Sequence, residues 1–210
     1  MASLPVKPTR MELSNLKKRL KVAIRGHKLM KDKHDELVRR FIGYARRNRD
    51  LRMEVEGMLQ TAMRAFVLAR AVMSEAEIEE ALLAPARAAA VNAGIQSILS
   101  IHVPALSIEA AEKYAYPYGF MTTSADLDDA VQQLAEVLPR LLELAEVEKT
   151  CSRLAEEIEK TRRRVNALEY VMIPQFTETI RQIQMKLDEN ERSNTTRLMK
   201  TKEMIQKQRA

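Results

Sequence analysis

The side chains in this 210-residue sequence that could do chemistry are three histidines, one cysteine and several runs of carboxylates. A metal centre or a proton-transfer site needs such groups converging at ligand spacing. His27, His34 and His102 are not spaced with cysteines or carboxylates in that way, and Cys151 has no second thiol to pair with. Five glycines in the whole chain and no GxxxxGK[ST] leave no loop of the usual kind for cradling phosphate. Glu156, Glu157 and Glu159 crowd together, but on an exposed helix such a run is a solvated face. The sequence therefore predicts no catalytic residue, no cofactor and no metal. Charge is the chemistry that remains. Residues 1–52 carry a net +11, residues 53–150 a net −9 and residues 151–210 a net +4. Basic side chains concentrate in Lys17, Lys18, Arg19, Lys21, Arg25 and Lys28, in the triplet Arg162, Arg163 and Arg164, and in Arg192, Arg197, Lys200 and Lys202.

The elements that must carry these charges are helices. From Leu13 to Val72 an apolar seam recurs at alternating steps of three and four: Leu13, Leu16, Leu20, Ala23, His27, Met30, His34, Leu37, Phe41, Tyr44, Asn48, Leu51, Val55, Met58, Ala62, Ala65, Ala69, Val72. A spacing of 3.5 sustained over about sixty residues predicts a coiled-coil helix, roughly 90 Å long at 1.5 Å per residue. His27, His34 and Asn48 are polar seam positions that would fix register. Gly43 and Gly57 weaken a helix, which close backbone approach by another chain would explain. Thr9, three residues before Glu12, offers a capping box.

The reading in chain order is a flexible leader (1–8), an N-terminal coiled-coil helix (9–73), a globular foot (74–123), a C-terminal coiled-coil helix (124–205) and a tail (206–210). Within the foot, Ser74 to Leu83 is an acidic helix interrupted by Pro85, with an alanine-rich stretch at 86–93. A β-hairpin is expected at about 95–108, its two strands at 95–101 and 103–108 and Pro104 near their junction. Tyr114 to Ser124 is an aromatic loop. Ser124 can cap the returning helix. Along that helix Pro139 predicts a kink. The seam steps Leu168, Met172, Phe176 form a stutter around Pro174, where a bend is expected. Equal spans in the two halves suggest an antiparallel register with Phe41 facing Phe176 and Val72 facing Ala145. The fold class is thus mainly α, a long antiparallel two-helix coiled coil with a small foot containing a short β-hairpin.

Four stretches carry a resemblance. Val6 to Leu20 (VKPTRMELSNLKKRL), Gly26 to Phe41 (GHKLMKDKHDELVRRF), Glu156 to Pro174 (EEIEKTRRRVNALEYVMIP) and Met185 to Lys202 (MKLDENERSNTTRLMKTK) are similar to the D subunit of the V-type and archaeal-type rotary ATPases, the central rotor stalk. The resemblance implies a non-catalytic shaft that transmits torque between a catalytic head and a proton- or sodium-translocating membrane ring. It implies as partners the A and B subunits of the head, the small F subunit of the stalk, and the socket (the d or C subunit) above the ring. The basic residues at 17–28 and 192–202 would then meet the head. Arg162, Arg163 and Arg164 would make a mid-shaft contact, and Pro174 would bend the shaft.

No signal-peptide core and no run of about 18 apolar residues is present, so a soluble cytoplasmic protein is expected; the resemblance implies that it is peripheral to the membrane, without direct insertion. The competing reading is a nucleic-acid-binding coiled coil, motivated by a pI near 9.5, or a structural homodimer. Against nucleic acid, the basic stretches lack aromatics and the middle of the chain is acidic.

Overall fold

The computed structural model describes residues 6–83, 90–108, 116, 118–121 and 123–209, with side chains to Lys207. Its elements are α1 (Arg10–Val72), α2 (Glu75–Leu82), β1 (Val91–Ile98), β2 (Ile101–Ile108), α3 (Ala125–Ala167), a π-helical turn (Leu168–Met172) and α4 (Ile173–Arg209). The chain divides into two compact units, one of residues 1–36 and 159–210, the other of residues 37–158.

α1 starts where the sequence offers a cap. Thr9 Oγ1 accepts the Glu12 backbone N–H at 3.2 Å, and no proline follows before Val72. Every seam position from Leu13 to Ala69 is buried or half-buried. The seam ends earlier than expected, because Val72 is 73% exposed and Met73 takes the buried place.

In the first unit, Leu16 of α1 packs with Ile180 and Ile183 of α4, flanked by Leu13, Leu20, Phe176 and Leu187. Burying a leucine this fully contributes about 2 kcal/mol. Val6 also packs against this cluster, while Lys7 and Pro8 are exposed; residues 1–5 lie outside the described residues. Arg10 pairs with Glu191, and His27 Nε2 lies 3.4 Å from Glu169 Oε2. In the second unit, Arg47 pairs with Glu143, Arg52 with Glu148, and Ala69 and Met73 pack on Leu127 of α3. In each unit the segments are antiparallel.

The expected register is wrong by roughly three heptads. Phe176 meets Leu16 and Leu20 rather than Phe41, and the neighbourhood of Ala145 faces Arg47 and Arg52 rather than Val72. Matching the two spans assumed that both helices pair along their whole length. α4 instead runs on past the start of α1, and residues 192–207 are all exposed. At Gly43 and Gly57 a Cβ would meet nothing of this chain within 4 Å.

α2 forms as the sequence suggests. Ser74 Oγ accepts the Glu77 N–H while the Glu77 carboxylate accepts the Ser74 N–H at 2.8 Å, a complete capping box. Pro85 and residues 86–89 of the alanine-rich stretch lie outside the described residues, and 91–93 begin β1.

The hairpin pairs Ile98 with Ile101 and Val91 with Ile108, so its junction is Leu99–Ser100, not Pro104. Both turn residues have positive φ, 50° and 68°, the left-handed backbone of a type I′ turn. With a two-residue turn, Pro104 falls at a position that donates nothing to β1, which is why β2 tolerates it. Leu106, two residues on, donates its outward N–H to Glu146 of α3 at 2.9 Å.

Ser124 precedes α3 but does not cap it. Its hydroxyl has no partner, while its backbone N–H points at Met73 Sδ at 3.3 Å. Pro139 does not interrupt α3, and it sits on the exposed side. The expected stutter takes the form of the π turn, in which Ile173 N–H reaches back to Leu168 O, with Pro174 immediately beyond.

Candidate interaction surfaces

Charge sorts by unit. The unit of residues 1–36 and 159–210 holds 22 Lys+Arg against 11 Asp+Glu, and the unit of residues 37–158 holds 13 against 18. All the basic residues singled out from the sequence belong to the first.

Lys17, Lys18, Arg19, Lys21, Arg25 and Lys28 are exposed on α1. Lys18, Lys21, Arg25 and Lys28 recur at three and four residues and so share one face. Among the described residues none of the six is in an ion pair. Lys17, Lys18 and Lys21 line an open groove of about 400 Å³ together with Arg10, Leu13 and Ser14. A neighbouring groove of about 540 Å³ is lined by residues including Arg10, Arg181, Asp188 and Glu191, and is mixed in charge. The cationic face therefore stops where α4 begins to contribute.

Arg192, Arg197, Lys200 and Lys202 are exposed on α4 beyond Glu191, the last of its residues with a described partner on α1. The two basic groups lie in one unit but are not brought together, because Leu16 and Leu20 sit against Ile180 and Phe176, not against the end of α4. Consecutive in a helix, Arg162, Arg163 and Arg164 point to different sides; all are exposed, and Arg163 pairs with Glu159 one turn back. Pro174 is the second residue of α4, where its missing N–H follows the wide turn.

The structure also brings together residues that the sequence did not single out. Arg47 Nη2 donates to Glu143 at 2.5 Å, Arg140 reaches the same carboxylate at 3.1 Å and Glu54 at 3.4 Å, giving a four-member chain of charges linking α1 and α3. The hydrogen bond from Arg47 holds the Glu143 carboxyl below its ordinary range and raises the Arg47 guanidinium above its own. These residues flank the seam, and a correct register would have exposed them. Tyr118 donates to Asp128 at 2.8 Å and packs on the Ala69–Leu127 cluster; burial first, then this carboxylate, pushes its hydroxyl pKa up. Tyr116 lies 5.8 Å from both Tyr118 and Phe120, ring to ring. Thus the described part of the aromatic loop packs inward through Tyr118, while Phe120 and Met121 stay exposed. Burial raises the Cys151 thiol pKa, as suits a half-buried seam residue.

Among the described residues no group of three His, Cys, Asp or Glu side chains could hold a metal ion, and no helix is long and apolar enough to cross a membrane.

Long terminal helices paired antiparallel and a two-stranded hairpin in the connection define a long-helix scaffold with a hairpin insert. The family model for the ATP synthase D subunit matches residues 12–203. A V-type ATP synthase D subunit of Clostridium botulinum (strain Alaska E43 / Type E3) is 56% identical, covering 98% of this chain and 99% of its own. That of Acetivibrio thermocellus is also 56% identical over 99% of this chain and 95% of its own, and that of Thermoanaerobacter sp. (strain X514) 55% over 99% and 100%. The chain belongs to the family of ATP synthase D subunits.

Proposed function

We propose that this chain is the central rotor shaft of a V/A-type ion-translocating rotary ATPase or ATP synthase, a non-catalytic component that transmits torque between the catalytic head and the membrane ring. The observation that carries this reading is the family match over residues 12–203, on a chain whose terminal helices pair antiparallel through a buried seam. A shaft has to resist unwinding, and cross-helix ion pairs with interlocked leucines and alanines supply that resistance.

The basic unit is the end that enters the head. Lys17, Lys18, Arg19, Lys21, Arg25 and Lys28, with Arg192, Arg197, Lys200 and Lys202 further along, face the A and B subunits of the head. Individually such charges contribute under about 1 kcal/mol, so they act as a set. Arg162, Arg163 and Arg164 contact the head's lower lobes or the small F subunit, and the acidic foot meets the socket (the d or C subunit) above the ring. The chain does not enter the bilayer and does not bind nucleic acid; it is peripheral to the membrane on the cytoplasmic side.

The test is recovery of a tagged chain from native cytosol and detergent-solubilised membranes after nuclease treatment and a salt wash, with bound proteins identified by mass. Head subunits with a small F-like partner are expected. Recovery, in a parallel sample without nuclease, only of nucleic-acid-binding proteins that are lost on nuclease treatment would overturn the proposal.

A further inference from the structure

The π turn at Leu168–Met172 is the one place in α3 and α4 where the hydrogen-bond ladder widens, Ile173 N–H reaching Leu168 O five residues back. Such a turn holds about one residue more than an α turn, and each residue is worth about 100° of helical phase. The surroundings differ on and off the turn. Thr161, seven residues before it, is 1% exposed; Thr179 and Ile180, just after it, are 2% and 8% exposed. Within the turn none of the five residues is buried, and Tyr170, Val171 and Met172 are 64%, 48% and 41% exposed. A shift of the turn therefore gives up little packing.

Two features bound it. On the C-terminal side stands Pro174, whose nitrogen cannot donate a hydrogen bond, so the wide bond cannot move one residue on, from Ile173–Leu168 to 174–169. The turn itself is tied to α1 by His27 Nε2 with Glu169 Oε2, at 3.4 Å.

We propose that the π turn is a slip point of one residue that is free to move only toward the N-terminal side, latched in place by the His27–Glu169 contact and stopped on the C-terminal side by Pro174. The stretch 164–168 takes up the extra residue when the latch opens. α4 keeps its seam against Leu16 and Leu20 throughout, since the ladder beyond Pro174 is untouched. In a rotor this is the point at which twist is absorbed; that consequence rests on the proposed function, whereas the slip itself is a property of the free chain.

Amide hydrogen exchange on the full chain tests it. Exchange on the order of tenfold faster is expected for the amides at 168–173 than for those at 159–163 and 179–183. In His27→Ala, and in Glu169→Gln, which leaves the His27 ring in place, fast exchange spreads to 164–167 and stops at Ile173. In Pro174→Ala it spreads toward 178 as well. Circular dichroism and melting temperature confirm that each variant keeps its helix content. Uniform protection through the turn, no spreading in either latch variant, spreading past Ile173 in those variants, or a Pro174→Ala profile like the parent's would each overturn the proposal. The exchange result stands if the pull-down fails, so the slip and the rotor role fail separately.

Discussion

Thr161 is 1% exposed and its hydroxyl has no partner among the described residues, although a threonine in a helix commonly bonds back to a carbonyl one turn earlier, as Thr179 does to Gln175 O at 2.7 Å. An unmade bond in a dry seam costs about 1–3 kcal/mol, more than the hydroxyl contributes. Thr161→Val, which keeps the shape, is expected to raise stability by about 1 kcal/mol, seen as a higher urea midpoint with an unchanged slope. Strain is concentrated at Leu99 and Ser100, which hold φ of 50° and 68° without being glycine or asparagine. Replacing them together by Asn-Gly, the pair this turn favours, is expected to stabilise by about 0.5–1 kcal/mol in thermal melts. The hairpin was legible in the sequence as a run of Ile, Val and Ser, but its turn was not. Pro104 drew attention as a breaker, while Leu99–Ser100 carries no turn composition. Only the register shows that Pro104 occupies a position with no bond to donate.

At the scale of elements, the seam from Leu13 to Ala69 was legible because burial along a helix writes itself as a 3,4 rhythm. Which turn of α3 or α4 it meets was not, because that depends on pairs such as Arg47–Glu143 that look like any surface charges until the register is known. The chain Arg47, Glu143, Arg140, Glu54 now gives a pH signature. The Glu143 carboxyl is lowered in the folded protein, so its contribution is complete above the ordinary carboxylate value and drains away as pH falls through the lowered one. Glu143→Gln is expected to lose about 1 kcal/mol near neutral pH, with the gap to the parent closing in acid and shrinking in about 1 M salt, both measured by urea unfolding. The stutter was legible too, but not its form. A run of 4,4 steps is compatible with gradual relaxation of supercoil, and the structure concentrates it in one wide turn beside Pro174.

For the whole molecule, the division of charge into a basic unit and an acidic one was legible by counting. Its assignment to particular contacts was not, because Lys17 to Lys28 and Arg192 to Lys202 occupy different stretches of that unit. If the α1 face meets the head, Lys17→Glu, Lys21→Glu and Lys28→Glu combined should leave the melting temperature within a few degrees of the parent. The same triple variant should cut recovery of head subunits at least on the order of tenfold; unchanged recovery would show that these lysines are merely solvated. The stretch of α4 past Glu191 has one further consequence. A lone helix of this length is marginal in water, and here it carries Leu198, Met199, Met204 and Ile205 in the open beside a series of lysines and arginines. Under the proposed function, contact with the head would cover this end, so a protease is expected to cut the free chain first past Glu191 and to spare that stretch in the assembled complex, a difference that would mark unassembled copies for removal.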